Sequence, residues 1–104
     1  MIKRIVKMTF REDEVPAFHA IFEEVKPKIQ ALDGCLHLEL LQDVGNPAVL
    51  FTFSIWENET ALDAYRQSAL FSATWKRTKA LFAAKAEAWS VQVVGDFRRE
   101  NTVR

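Results

Sequence analysis

The stretch Val49–Tyr65, VLFTFSIWENETALDAY, constrains the fold more than any other part of the chain. From Val49 to Trp56 it is rich in β-branched and aromatic side chains and carries no charge, glycine or proline, the pattern of a mostly buried central strand. Glu57 ends that run. Asn58 is placed to cap a helix, because its side-chain oxygen can accept an orphan N–H of the first turn, and Glu59 puts negative charge at the positive end of the helix dipole. A strand that turns directly into a capped helix must pack both elements at one corner, and Trp56 stands at that corner.

The remaining elements follow from periodicity. In Ile2–Phe10 apolar residues recur every second position: Ile2, Val6, Met8 and Phe10 share one face, interrupted by Arg4, and Ile5 lies opposite with Lys3 and Lys7. After Arg11–Glu14 the spacing turns helical, with Val15, Phe18, Ile21, Phe22, Val25, Ile29 and Leu32 in one stripe. Pro27 predicts a kink or an irregular last turn before Asp33-Gly34, where Gly34 closes the helix. Cys35–Asp43 alternates again, and the turn Val44-Gly45-Asn46-Pro47 makes it a hairpin with the strand that follows. A short helix carries Leu62 and Tyr65. Ser68 caps another, with a stripe of Phe71, Trp75, Thr78, Phe82 and Lys85, and the last strand is expected over Trp89–Val94.

The order is β α β β α β with the second helical unit in two pieces, which predicts an α+β, ferredoxin-like fold with an antiparallel four-stranded sheet and helices on one face. Val6, Met8, Leu36, Leu38, Leu40, Phe51, Phe53, Val91 and Val93 are expected to face the helices. The other face then mixes Ile5, Leu41, Leu50, Trp56 and Val94 with Lys7, His37, Glu39, Thr52, Ser54 and Gln92. So much apolar surface calls for a cover, and a second copy in a homodimer supplies one.

Composition narrows the function classes. Among 104 residues, twelve aromatic side chains exceed what one thin core needs, so an interface or an apolar pocket for a small aromatic molecule is expected. Fourteen basic residues balance fourteen acidic ones, and no basic stripe forms outside the tail with Arg98, Arg99 and Arg104, which argues against nucleic-acid or membrane-surface binding. No apolar run reaches the ~20 residues of a membrane span. Cys35 is the only cysteine, which fits a reducing cytoplasm. One domain over residues 1–96 with a polar tail at 97–104 is expected.

The strand-to-helix segment FSIWENETALDAYRQSALF carries W-E-x-x-x-A-L-x-x-Y followed by S-x-x-F, and LDGCLHLEL places a glycine after the first helix. On these residues and the element order, the chain over about residues 2 to 95 resembles the antibiotic biosynthesis monooxygenase family. The resemblance implies a dimeric α+β barrel. Its members include oxygenases that oxidise polycyclic phenols or quinols without metal or flavin, haem-degrading enzymes, isomerases, and proteins of no assigned activity. Haem-degrading members have an Asn on the first strand, a Trp on the helix after the third strand and a later His ligand. Here the first strand has no Asn, Tyr65 takes the Trp position and Trp75 the His position, which weakens that reading. Phenol-oxidising members resemble this chain in Trp56, although Thr52 replaces their Asn and Tyr65 is the only nearby Tyr.

The resemblance therefore implies cofactor-independent oxidation of a small phenolic or quinone-like compound, with a non-catalytic small-molecule-binding protein as the alternative. His37, Trp56 and Tyr65 are the expected catalytic edge: the indole N–H donates to a substrate oxygen and imidazole takes a proton. His19, Phe22, Glu39, Phe51, Thr52, Phe53, Phe71 and Trp75 are expected around the substrate, with no metal and no resident cofactor. Each has a plainer role. Trp56 is also a structural wedge, and Tyr65 and Trp75 are also core. His37 and Glu39, two apart on one strand face, form an acid–base pair or bond across a dimer interface, and only Cys35 could join them on a metal. Arg66 and Lys79 hold an anionic group or are solvated.

Overall fold

The computed structural model describes residues 1–97 and 99. The expected polar tail at 97–104 lies, apart from Phe97 and Arg99, outside the described residues. Four strands, β1 (Ile2–Phe10), β2 (Cys35–Asp43), β3 (Asn46–Trp56) and β4 (Phe82–Val91), and three helices, α1 (Val15–Gln30), α2 (Glu59–Arg66) and α3 (Ala69–Lys79), follow the expected order. A single 3-10 turn at Glu12–Glu14 leads into α1. The sheet runs β2-β3-β1-β4 with every neighbour antiparallel, which is the ferredoxin-like arrangement. Among the described residues no helix is long and apolar enough to cross a membrane.

Local chemistry sets the element ends. Asn58 Oδ1 accepts from the Ala61 N–H at 2.9 Å and caps α2. Ser68 Oγ accepts from the Phe71 N–H at 3.1 Å and donates to the Tyr65 carbonyl at 2.6 Å, so one hydroxyl joins the end of α2 to the start of α3. α1 continues through Pro27 and ends three residues later. Gly34 then takes a φ of 82°, and a Cβ there would collide with Ala61, so only glycine lets this loop lie against α2.

Two expectations fail for physical reasons. The helical stripe was extended to Phe82 and Lys85, but α3 stops at Lys79 and β4 already begins at Phe82. Ala83 to Ala88 is a sequence of good helix formers. Pairing with β1, where Phe82 lies opposite Phe10 and Ala88 opposite Val6, overrides that preference. The last strand is correspondingly displaced from Trp89–Val94, and Val93 and Val94 lie exposed beyond it.

The second failure is the face of β3. Its register on β1 pairs Trp56 with Ile2, Ser54 with Arg4, Thr52 with Val6 and Leu50 with Met8. Residues directly opposite share a face, so Leu50, Thr52, Ser54 and Trp56 turn toward the helices, while Phe51, Phe53 and Ile55 turn outward with Ile5. Val91, opposite Lys3, also faces outward and not toward the helices. Leu36 is 53% exposed, and a bulge between Cys35 and His37 turns Cys35 inward in its place. Thus the middle of the strand turns its small side chains, Thr52 and Ser54, toward the helices and Phe51 and Phe53 away from them.

Between the sheet and the helices the core forms two clusters. Met8, Phe10, Phe18, Phe22 and Leu50 make one, and Val25, Ile29, Trp56 and Leu62 make the other. The space between them is not filled.

Candidate functional site

A cavity of about 330 Å³ opens where the two clusters would otherwise merge, lined by Met8, Phe18 and Phe22 of one and Val25, Ile29, Trp56 and Leu62 of the other. Its floor is the helix-facing side of the sheet, where Thr52, Ser54, Ala86 and Ala88 are too small to reach α3. The polar and alanine positions are thus what keep it open. Its volume is at the low end for a ligand site and suits one small molecule.

The walls are aromatic. Trp56 stacks on Tyr65 at 5.0 Å, Tyr65 meets Phe71 edge-on at 5.2 Å, and Phe71 stacks on Trp75 at 6.0 Å. Contacts then pass from Trp75 through Phe82, Phe10 and Phe18 to Phe22. Eight of the chain's twelve aromatic side chains therefore form one continuous arc, six of which line the cavity. The serine link between α2 and α3 fixes the arc at its tightest corner, holding Tyr65 against Phe71.

Trp56 is 1% exposed, and its indole N–H donates to Ser54 Oγ at 2.9 Å. The expected donation from Trp56 to a substrate is therefore replaced by one to Ser54. An indole nitrogen can only donate, so Ser54 must accept, which leaves the serine proton to point elsewhere along the cavity wall. Tyr65 has its hydroxyl pushed up to about 12, first by burial and then by the nearby Cys35 thiol. At neutral pH it is a donor and not a base. Burial also pushes up the Cys35 thiol, which leaves it unreactive.

Two cations line the same space. Arg4 extends inward from β1 and donates from Nη1 to Ser90 Oγ at 2.9 Å, and Arg66 comes from the last turn of α2. Burial, and then the charge of Arg66, hold Arg4 below the usual guanidinium range. No Asp, Glu or His is among the lining residues.

The expected site is divided by the sheet. Phe22, Thr52, Trp56, Tyr65, Phe71 and Trp75 meet around the cavity. His37, Glu39, Phe51 and Phe53 do not; they lie on the outer face, where His37 Nε2 is 3.4 Å from Glu39 Oε2 and the imidazole is 6.0 Å from the Phe53 ring. His19 is exposed on α1, its ring tilted against Phe18 with centroids 6.3 Å apart, and it is not among the residues lining the cavity. Ser54 and Arg4 are functional candidates that sequence reasoning left out. The signal for Arg4 was present in the charge interrupting an otherwise apolar strand face.

Comparison with known proteins agrees with this architecture. The family profile described as antibiotic biosynthesis monooxygenase matches residues 1–77. A crystal structure of an antibiotic biosynthesis monooxygenase is similar at a TM-score of 0.86 and 18% identity, covering 91% of this chain and 100% of that one. A conserved protein from Methanosarcina mazei is similar at 0.84 and 19% identity over 88% and 90% of the two chains. The Rv0793 protein from Mycobacterium tuberculosis is similar at 0.84 and 19% identity over 91% and 96%. At these identities the likeness establishes the fold. No curated protein matches the sequence.

Proposed function

The chain belongs to the antibiotic biosynthesis monooxygenase family, and from that premise we propose that its cavity binds a small phenolic or quinone-like aromatic molecule and oxidises it with dioxygen. The observation that carries this reading is the aromatic arc around a small space, with the hydroxyl-bearing residues Ser54 and Tyr65 in its lining. A planar ring stacks on such walls, and a substrate oxygen accepts from the two hydroxyls. For a phenol with hydrogen at the para carbon, the reaction balances without a resident redox group. One atom of O2 becomes the new carbonyl oxygen, the other leaves as water with the hydroxyl and ring hydrogens, and the substrate supplies all the electrons.

A second reading, a binding protein without catalysis, is favoured by one observation: no side chain lining the cavity is a base at neutral pH. Oxygen uptake separates the two. With a panel of dihydroxynaphthalenes and anthrone, the enzyme consumes oxygen and forms quinone; binding without uptake selects the second reading, and no binding removes both.

The reading includes a homodimer. Ile5, Phe51, Phe53, Ile55, Trp89 and Val91 form an apolar outer face, on which Trp89 is 45% and Val91 43% exposed. A second copy of the sheet would cover it, and the patch carries Lys3, Lys7, Glu39 and Glu87, charges of both signs that two copies can pair. Light scattering should give twice the 12.0 kDa of one chain. The single thiol, Cys35, suits the cytoplasm.

A further inference from the structure

The inward row of β1 reads Ile2, Arg4, Val6, Met8, and the charge within it is the least expected feature of the cavity. A half-buried guanidinium normally meets a carboxylate, because desolvation of the charge is costly and a paired anion offsets it. Arg4 instead donates to a serine hydroxyl. Among the described residues no carboxylate pairs with Arg4 or Arg66. The chain as a whole has equal numbers of acidic and basic residues, so two unpaired cations and no acid around one cavity are a local arrangement and not a reflection of composition.

An anion at the cavity mouth would meet both guanidinium groups, half-buried Arg4 and exposed Arg66, and each can offer two parallel N–H donors to a carboxylate. The rest of the wall selects the opposite character: Phe18, Phe22, Phe71 and Trp75 require an apolar, planar body. We infer that the ligand is a small aromatic acid, one or two fused rings bearing an anionic oxygen that sits between Arg4 and Arg66 while the rings lie against Tyr65 and Trp75. The inference rests on the proposed small-aromatic site and adds the charge of its occupant. Carboxylates and ionised phenols share this chemistry.

The test compares naphthoate with naphthamide, its neutral counterpart of the same shape, by calorimetry on the full chain. Naphthoate should bind about tenfold tighter or more, the size expected of charge-assisted hydrogen bonds in a partly dry site. Arg66→Gln and Arg4→Gln should each remove most of that preference, weakening naphthoate much more than naphthamide. Arg66 is exposed at a helix end, so its variant carries the test even where the β1 variant does not fold. Equal affinity of the two ligands for the wild type, or a preference that survives in Arg66→Gln and in any folded Arg4→Gln, overturns the inference and leaves the aromatic site standing. Binding of neither overturns both. A third probe, para-nitrophenol, identifies the source once naphthoate is preferred. A rise in its yellow phenolate form on binding extends the class to ionised phenols, and no rise confines it to carboxylates; either result upholds an anionic ligand.

Discussion

Across its middle, between the buried Leu50 and Trp56, the two faces of the sheet invert the usual relation between side-chain size and burial. On the helix side β3 presents Thr52 and Ser54, and β4 presents Ala86 and Ala88, so that a covered face is left partly hollow. On the outer side the same strands present Phe51, Phe53, Ile55 and Trp89, so that an uncovered face is large and apolar. The difference teaches that bulk alone does not mark the core of this chain. The helices supply enough aromatic volume of their own, through Phe18, Phe22, Phe71 and Trp75, for the side chains at the middle of the sheet beneath them to be small.

Deleting an aromatic ring from each face is the sharpest way to break this comparison. Trp56→Ala on the inner side should lose about 3–5 kcal/mol in denaturant unfolding, because a fully buried indole leaves a void. If it costs less than 1 kcal/mol, as the loss of a surface contact would, the corner is not the anchor described here.

The next largest effect is in alkali. Tyr65 is the only tyrosine, so phenolate absorbance reports it alone. Its folded value of about 12 lies above the ordinary 10.0, so the unfolded chain ionises first. Stability is therefore intact below pH 10 and falls by about 2–3 kcal/mol as pH rises from about 10 to about 12. A phenolate midpoint at the ordinary value would mean that the ring is not buried against Trp56.

Ser54→Ala should cost about 1–2 kcal/mol, since it strands the buried indole N–H without an acceptor. Trp56→Phe should cost less in the Ser54→Ala background than in the wild type, because no indole N–H is then left to lose its acceptor, and a double-mutant cycle measures the difference. The smallest change in the stability of a single chain is expected from Phe53→Ser on the outer face, below about 1 kcal/mol. That same variant should convert the proposed dimer to monomer in light scattering. Should it unfold the monomer as Trp56→Ala does, the two faces are not distinct.

Much of the fold was legible because its signals are local. Asn58 and Ser68 cap the helices they were expected to cap, and the alternation in β1 reports its faces correctly. Facing is not local for a strand with two apolar sides: Val49, Phe51, Phe53 and Ile55 look like a core row, and only the register on β1 turns them outward. That inversion also took Phe51 and Phe53 away from the candidate site and brought Thr52 and Trp56 into it. Trp56, Tyr65, Phe71 and Trp75 were found because a capped strand-to-helix corner assembles them in sequence. His37 and Glu39 were chosen for their chemistry, and the sheet places them behind the cavity. Arg4 was noted as an interruption of an apolar row. Its meaning depends on Arg66, which is remote in sequence and meets it only through the fold.

Crystals soaked with naphthoate test the central claim most directly, because they show which face of the sheet accepts a ring. Density for the ring system is expected between Tyr65 and Trp75 on the helix side. Density beside His37 and Phe53 on the outer side, with Phe71 and Trp75 collapsed into the inner space, would contradict it.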